Sequence, residues 1–161
     1  MKLLVFNDAR LGVLKGDRVV DVTGAVSAIA HVGIGDLMNS LIADWSNWRG
    51  PIERAVSAAE GVPLASVTVR APLSAPRTID CMAVNYMEDG TRSEPAPINA
   101  FHKSPGCIIG PGETMVLPDL AASVFEGEAE IALVIGKRAS NVPASRAMVE
   151  PTTLQMPQSS A

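Results

Sequence analysis

A short segment near the C-terminal end of the sequence constrains the fold and chemistry of this chain more than any other. It begins with glutamates at alternate positions, Glu126, Glu128 and Glu130, and continues into the apolar run at 131–135. Alternate residues of a β-strand face the same side, so the three carboxylates would share one face. An unbroken apolar run of this kind is typical of a strand that is buried on both faces.

Carboxylates clustered at the mouth of a buried strand require a compensating charge. They repel one another, and burial removes the water that hydrates them. Carboxylate oxygens are ligands that hard divalent cations prefer. The pattern therefore predicts a site for Mg²⁺ or Mn²⁺, with Ca²⁺ as an open alternative. The simpler interpretation is a solvated strand end without a metal.

Composition narrows the class of protein and its partners. Hydrophobic residues make up 47% of the 161 positions and charged residues 19%, so we expect an ordered core. The net charge of -4, the absence of a basic cluster and an aromatic content of 4% argue against nucleic acid as a partner. The apolar segment at the start of the sequence is too short for the hydrophobic region of a signal peptide. No other run approaches the roughly 18 consecutive apolar residues of a membrane span. We therefore expect a cytoplasmic protein without a membrane partner.

The two cysteines, Cys81 and Cys107, follow no metal-binding spacing. We predict that both are free thiols in the protein interior. A disulfide or a nucleophilic role remains the alternative.

The N-terminal region predicts a small antiparallel meander. Residues 2–6, 10–14 and 17–22 carry strand-like apolar positions, and the short polar segments between them suit tight turns. Two helices follow. Residues 36–45 have helical apolar spacing with Asp36 as an expected N-cap.

The second helix is predicted at 51–60. Pro51 would occupy its first turn, where the missing backbone N–H costs nothing, and Gly61 would cap its C-terminus.

The sequence pattern in the middle of the chain predicts a boundary between two domains. Strand character returns at 62–70, and a proline-rich connector follows at 71–77. Residues 78–84 predict a buried strand. A long irregular stretch then extends to a short predicted strand at 114–118, and such stretches are often functional.

Four segments in order resemble motifs of the fumarylacetoacetate hydrolase family. They lie at 77–86, 101–105, 109–118 and 128–137. The resemblance implies an α+β chain in which a small N-terminal β-meander with two helices precedes a partial mixed β-roll. The implied boundaries are an N-terminal domain at 1–70, a linker at 71–77, the first part of the catalytic roll at 78–148 and an atypical, disordered tail at 149–161.

The resemblance also implies an activity and a site. Family members hydrolyse C–C bonds of small β-diketo or 2-oxo acids of the acylpyruvate kind, using Mg²⁺ or Mn²⁺, and they associate as homodimers. The metal-binding glutamate pair of the family falls on Glu128 and Glu130, which leaves Glu126 just outside the motif. Lys103 falls in a motif near the site and is a candidate for meeting the substrate, with an ordinary surface lysine as the alternative.

Two departures from the family pattern bear on catalysis. Asp89 stands where relatives commonly carry a histidine that acts as general base, and an ordinary carboxylate is a weaker base near neutral pH. His102 is close in sequence but belongs to a different motif. The sequence after Ala147 matches nothing in the family, so a further metal-binding aspartate and a substrate-contacting lysine have no counterpart. A fragment or pseudoenzyme without catalytic activity is therefore the alternative function.

Overall fold

The computed structural model describes residues 1–83, 93–94, 96–121, 124–125 and 127–146. Its strands are β1 (Lys2–Phe6), β2 (Arg10–Lys15), β3 (Arg18–Asp21), β4 (Val62–Pro63), β5 (Val69–Arg70), β6 (Ile79–Ala83) and β7 (Asn99–Lys103). Its α-helices are α1 (Ile34–Ala43) and α2 (Trp45–Ala58). This mixture confirms the α+β class. Among the helices of the described residues, none has both the length and the apolar character that crossing a membrane requires.

The N-terminal sheet is antiparallel, with the strand order β4-β3-β2-β1-β5. Strands β1 to β3 form the predicted meander, in which Leu3 lies opposite Val13 and Val13 opposite Val20. The predicted strand at 62–70 is only partly formed. Its ends pair as β4 with β3 and β5 with β1, whereas Leu64–Ser66 between them forms a turn of 3₁₀ helix.

Strand alternation sends apolar side chains to both faces of this sheet. One face packs against the helices and forms the main core. Its buried members include Leu3, Val5, Leu11, Val13, Val20, Leu37, Met38, Leu41 and Ile52. The other face carries a smaller cluster of Leu4, Phe6 and Val19, covered by residues of the 64–69 segment. Each buried aliphatic side chain contributes roughly 1.5–3 kcal/mol relative to exposure, so these two clusters contribute strongly to the stability of the fold.

Both predicted helices form, but their N-termini differ from the prediction. Helix α1 begins at Ile34, and Gly33 is its N-cap without a side-chain hydrogen bond. The prediction that Asp36 caps the helix was wrong. Asp36 lies instead in the first turn, where its negative charge interacts favourably with the helix dipole.

Helix α2 begins at Trp45, so Pro51 lies inside it and not in its first turn. A single residue, Asp44, separates the two helices. The carboxylate of Asp44 accepts a hydrogen bond from Asn47 Nδ2 at 2.8 Å. Burial of Ile52 and the packing of Trp45 and Trp48 against the main core hold the helix across the proline. Tertiary packing thus outweighs the local preference of proline for a helix start.

The end of α2 also differs from the prediction. Its C-cap is Ala59 in extended conformation, so Gly61 is not the cap. Gly61 has a φ of +77°, and a Cβ there would lie 2.4 Å from the carbonyl oxygen of Val19. The last carbonyls of α2 are bound by side chains of the sheet, since Lys15 Nζ donates to the Val56 oxygen at 3.2 Å and to the Ala59 oxygen at 3.0 Å.

The second sheet is the antiparallel pair β6 and β7. Strand β6 confirms a strand within 78–84 over the residues described, but the prediction that this strand is buried was wrong, since Cys81 alone of its residues is buried. Strand β7 was not predicted, because all five of its residues are exposed and its sequence lacks alternation. Residues 114–118 form no strand, contrary to prediction.

The apolar run at 131–135 also differs from the prediction. It forms no strand, and Ile131 and Ile135 are 88% and 70% exposed. Val134 alone of this run is among the partly buried residues that pack against the main core. A buried strand requires hydrogen-bonded neighbours, and within the described residues nothing pairs with this segment.

Candidate metal and substrate site

The predicted site residues fall in different parts of the chain. Asp89 and Glu126 lie outside the described residues. Glu128 and Glu130 lie in the segment before the apolar run, are exposed, and belong to no strand. The expected strand face that would align their carboxylates is therefore not formed. Neither carboxylate makes a hydrogen bond or an ion pair with the described part of the chain, so both are accessible to a ligand.

The β6–β7 hairpin determines the direction of Lys103. Across the hairpin Ile79 lies opposite Lys103, Asp80 opposite His102 and Cys81 opposite Phe101. Alternate residues face the same side, so Lys103 shares a face with Phe101 and Cys81. Cys81 is only 8% exposed, which marks this as the face that packs toward the protein.

The ammonium group of Lys103 lies 5.7 Å from the centroid of the Phe101 ring. This is within the range of a cation–π contact, which restricts the side chain while leaving its N–H groups available. Lys103 remains exposed. Chemically, it can bind a carboxylate.

His102 occupies the opposite face of β7. Its Nδ1 lies 2.6 Å from Asp80 Oδ1, and Thr78 Oγ1 donates to the other Asp80 oxygen at 3.4 Å. His102 is 81% exposed at its side chain. Sequence reasoning missed this pair because the partner of a strand can be assigned only after β7 itself is recognised.

A turn at 109–113 joins the second part of the chain to the N-terminal sheet. Glu113 Oε2 accepts a hydrogen bond from Gly110 N at 2.7 Å, and its Oε1 lies 3.4 Å from Arg70 Nη1. A Cβ at Gly110 would lie 2.9 Å from the backbone nitrogen of Ala71, so the two backbones touch. A shallow cleft of about 330 Å³ lies at this seam, lined by Leu3, Val69, Pro72 and Ile109 among others.

The cysteines are both free thiols, as predicted. Cys81 is buried, but Cys107 is exposed, so the prediction that both are buried was wrong for Cys107. It is the last residue of a short 3₁₀ helix at Pro105–Cys107, and its Sγ donates to the carbonyl of Ser104.

The chemistry of Glu128 and Glu130 fits a hard divalent cation. The described residues contain no group of three or more histidine, cysteine or acidic side chains that could hold a metal. Ions such as Mg²⁺ keep several waters and bind through one or two protein carboxylates together with oxygens of the substrate, so the donor atoms of Glu128 and Glu130 are of the type that such an ion uses. The donor set thus fits a cation whose remaining positions are filled by water or by an oxygen ligand.

Comparison with known proteins gives the family. The family model of the fumarylacetoacetate (FAA) hydrolase C-terminal domain matches residues 78–149. Maleylpyruvate hydrolase of Aquipseudomonas alcaligenes is 30% identical over an alignment 168 positions long, gaps included, that covers 92% of this chain. This chain belongs to the fumarylacetoacetate hydrolase family. The motifs quoted above from 77 to 137 are therefore motifs of that family.

Solved structures of the fumarylacetoacetate hydrolase family confirm the fold. Maleylpyruvate hydrolase from Sphingobium sp. SYK-6 matches 94% of this chain with a TM-score of 0.75 and 30% identity. The same enzyme in complex with manganese(II) and pyruvate matches 74% of the chain with a TM-score of 0.62 and 34% identity.

A further relative catalyses a different reaction on an oxo acid. The mitochondrial oxaloacetate tautomerase FAHD2A of Bos taurus is 34% identical over 91 residues, covering 54% of this chain and 28% of the tautomerase. The chain spans 57% of the Aquipseudomonas enzyme and 54% of the Sphingobium one, which is about half of their length.

Proposed function

We propose that this chain carries a divalent-cation site and acts on small 2-oxo or β-diketo acids of the acylpyruvate kind. The observation that carries the proposal is the match to the Sphingobium enzyme, whose structure holds manganese(II) and pyruvate, at 34% identity over 74% of this chain. The second support is the accessible pair Glu128 and Glu130, whose oxygens suit Mn²⁺ or Mg²⁺.

In this proposal each residue has one task. Glu128 and Glu130 hold the cation through their carboxylates, and Lys103 pairs its ammonium with the carboxylate of the oxo acid. The bound cation would supply Lewis-acid stabilisation of the enolate that C–C cleavage produces. Asp89 would accept the proton of the attacking water. The overall reaction adds water across the broken C–C bond and releases a carboxylic acid and a 2-oxo acid.

The domain division and association follow the same proposal. Residues 78–148 would carry the chemistry, residues 1–70 would support them through the linker at 71–77, and the chain would act as a homodimer. These assignments rest on the family resemblance.

A second candidate reaction is the enol–keto interconversion of a 2-oxo acid, supported by the similarity to the tautomerase. Asp89 favours it specifically. A carboxylate is a poor base for water near neutral pH, whereas a proton beside a polarised carbonyl is more acidic and needs a weaker base. Tautomerisation consumes no water, so it avoids the step for which Asp89 is least suited.

Activity assays with Mn²⁺ distinguish the candidates. We expect the purified chain to consume maleylpyruvate or to accelerate the decay of enol-oxaloacetate, both followed by ultraviolet absorbance. Glu128→Gln and Glu130→Gln should abolish the reaction, whereas Glu60→Gln, an exposed glutamate on the N-terminal side, should not. A chain that binds Mn²⁺ but converts neither substrate would contradict catalysis and identify a pseudoenzyme.

A further inference from the structure

The segment that connects β6 to β7 is too long to fix the register in which the two strands pair. The two strands are joined by the long segment 84–98, and every residue of β7 is exposed. Tight turns fix the register of short hairpins, but a long connection does not. Isolated two-stranded sheets are also marginally stable. Side-chain pairs across the hairpin must therefore select the register.

A competing register is available to these two strands. A shift of one residue would place Lys103 opposite Asp80 and His102 opposite Cys81. Lys103 and Asp80 have opposite charges, so the shifted register also contains a favourable pair. A shift of one residue moves every side chain of a strand to the other face. Lys103, together with Phe101 of the same strand, would then leave the face of Cys81.

The observed register is favoured by the contact that the shift would break. His102 Nδ1 and Asp80 Oδ1 are 2.6 Å apart, and Thr78 restrains the same carboxylate. On the other face, Phe101 lies opposite the buried Cys81.

We propose that the Asp80–His102 pair selects the register of the β6–β7 hairpin and thereby positions Lys103. The contact with His102 keeps the Asp80 carboxylate from pairing with the ammonium group of Lys103. The pair touches no substrate, since it lies on the face opposite Lys103. The consequence for ligand binding rests on the proposed function, but the effect on the register does not.

The test uses two substitutions that break the pair in different ways. His102→Gln removes the native partner and leaves Asp80 available to Lys103, so the shifted register should gain. Asp80→Asn removes the carboxylate on which both competing pairs depend, so it should not favour the shift. Cross-strand backbone NOEs report the register: residues 79 and 103 are opposite in the native one, and residues 80 and 103 in the shifted one.

We expect His102→Gln to raise the ratio of shifted to native register by roughly two- to fivefold, in line with the strength of single cross-strand pairs. The exchanged double variant, Asp80→His with His102→Asp, should restore the native NOEs. The proposal is overturned if the ratio of shifted to native register in His102→Gln equals that of wild type, or if Asp80→Asn shifts the register to the same extent.

A binding measurement separates this proposal from the proposed function. With Mn²⁺ present, His102→Gln should weaken pyruvate binding by about the factor lost from the native register, while Mn²⁺ affinity stays unchanged. If wild-type protein binds no pyruvate, the proposed substrate class fails, and the NOEs still decide the role of the Asp80–His102 pair. If the NOEs shift while pyruvate affinity does not change, Lys103 has no substrate role and the positioning claim is refuted.

Discussion

Lys103 and His102 are adjacent in sequence but lie on opposite faces of β7. Lys103 lies over the Phe101 ring, whereas Nδ1 of His102 lies 2.6 Å from Oδ1 of Asp80 across the hairpin. A substrate that contacts Lys103 therefore does not meet the imidazole of His102. In the proposed reaction this histidine does not replace the base that relatives carry at the position of Asp89.

Lys103→Met should weaken the binding of pyruvate to the Mn²⁺-loaded protein. A hydrogen bond to a charged group contributes roughly 1.5–3 kcal/mol, so we expect a loss of about tenfold or more in affinity. Titration calorimetry measures it, and Lys103→Arg should recover part of the loss because it keeps the charge. Equal affinity in wild type and Lys103→Met would exclude Lys103 from the site.

Gly61→Ala should destabilise the N-terminal sheet. Its φ of +77° disfavours alanine, and the added Cβ would lie 2.4 Å from the Val19 oxygen. Strain of this kind costs about 1–3 kcal/mol, measured as a lower midpoint of urea unfolding. Gly24→Ala is the matched control, since a Cβ there meets nothing within 4 Å. An unchanged midpoint for Gly61→Ala would show that the turn relaxes freely.

Asp21 should make the fold sensitive to acid. Partial burial acts to raise its pKa, but hydrogen bonds from Thr23 and the ion pair with Arg10 outweigh it and lower the pKa below the ordinary 3.8. Because the folded pKa is depressed, the stabilisation is present above the unfolded value and is lost as pH falls through the folded value.

Thermal unfolding of Asp21→Asn tests this linkage. The variant should be less stable than wild type at pH 6, and the two melting temperatures should converge once the pH falls below the depressed folded pKa, where Asp21 is protonated in both states. Asp8→Asn, which alters an exposed turn carboxylate, controls for the change in net charge. A difference that stays constant down to low pH would contradict the linkage.

Within the apolar run at 131–135, the effect of a substitution on the free energy of unfolding should depend on how buried the side chain is, and not on how hydrophobic it is. Val134→Ser removes a side chain that packs against the main core and should lower the free energy of unfolding by about 0.5–1.5 kcal/mol. Ile131→Ser alters a residue that is 88% exposed and should leave stability unchanged while reducing binding of an apolar dye. Equal destabilisation by both changes would mean that Ile131 is buried in solution.

The sequence predicted those parts of the fold that local pattern determines. The β1–β3 meander and β6 follow from alternation and turn residues within a few positions. The start of α2 was misplaced because the local preference of proline for a first helical turn was used to place it. The packing of Ile52 in the core, which no local pattern shows, instead allows the helix to continue across Pro51. The run at 131–135 was misassigned because burial of a strand depends on neighbours elsewhere. For the proposed site, Glu128, Glu130 and Lys103 stay predictions from the sequence, and the face that Lys103 occupies could not be predicted because it depends on pairing with β6.

Manganese binding tests the central claim most directly. Electron paramagnetic resonance of Mn²⁺, titrated into the full chain, measures free and bound ion without any need for turnover. We predict one bound Mn²⁺ per chain, at least tenfold weaker binding in the Glu128→Gln, Glu130→Gln double variant, and no change in Glu60→Gln. Wild-type affinity in the double variant, or no specific binding in the wild type, would contradict the assignment of Glu128 and Glu130 as the cation site.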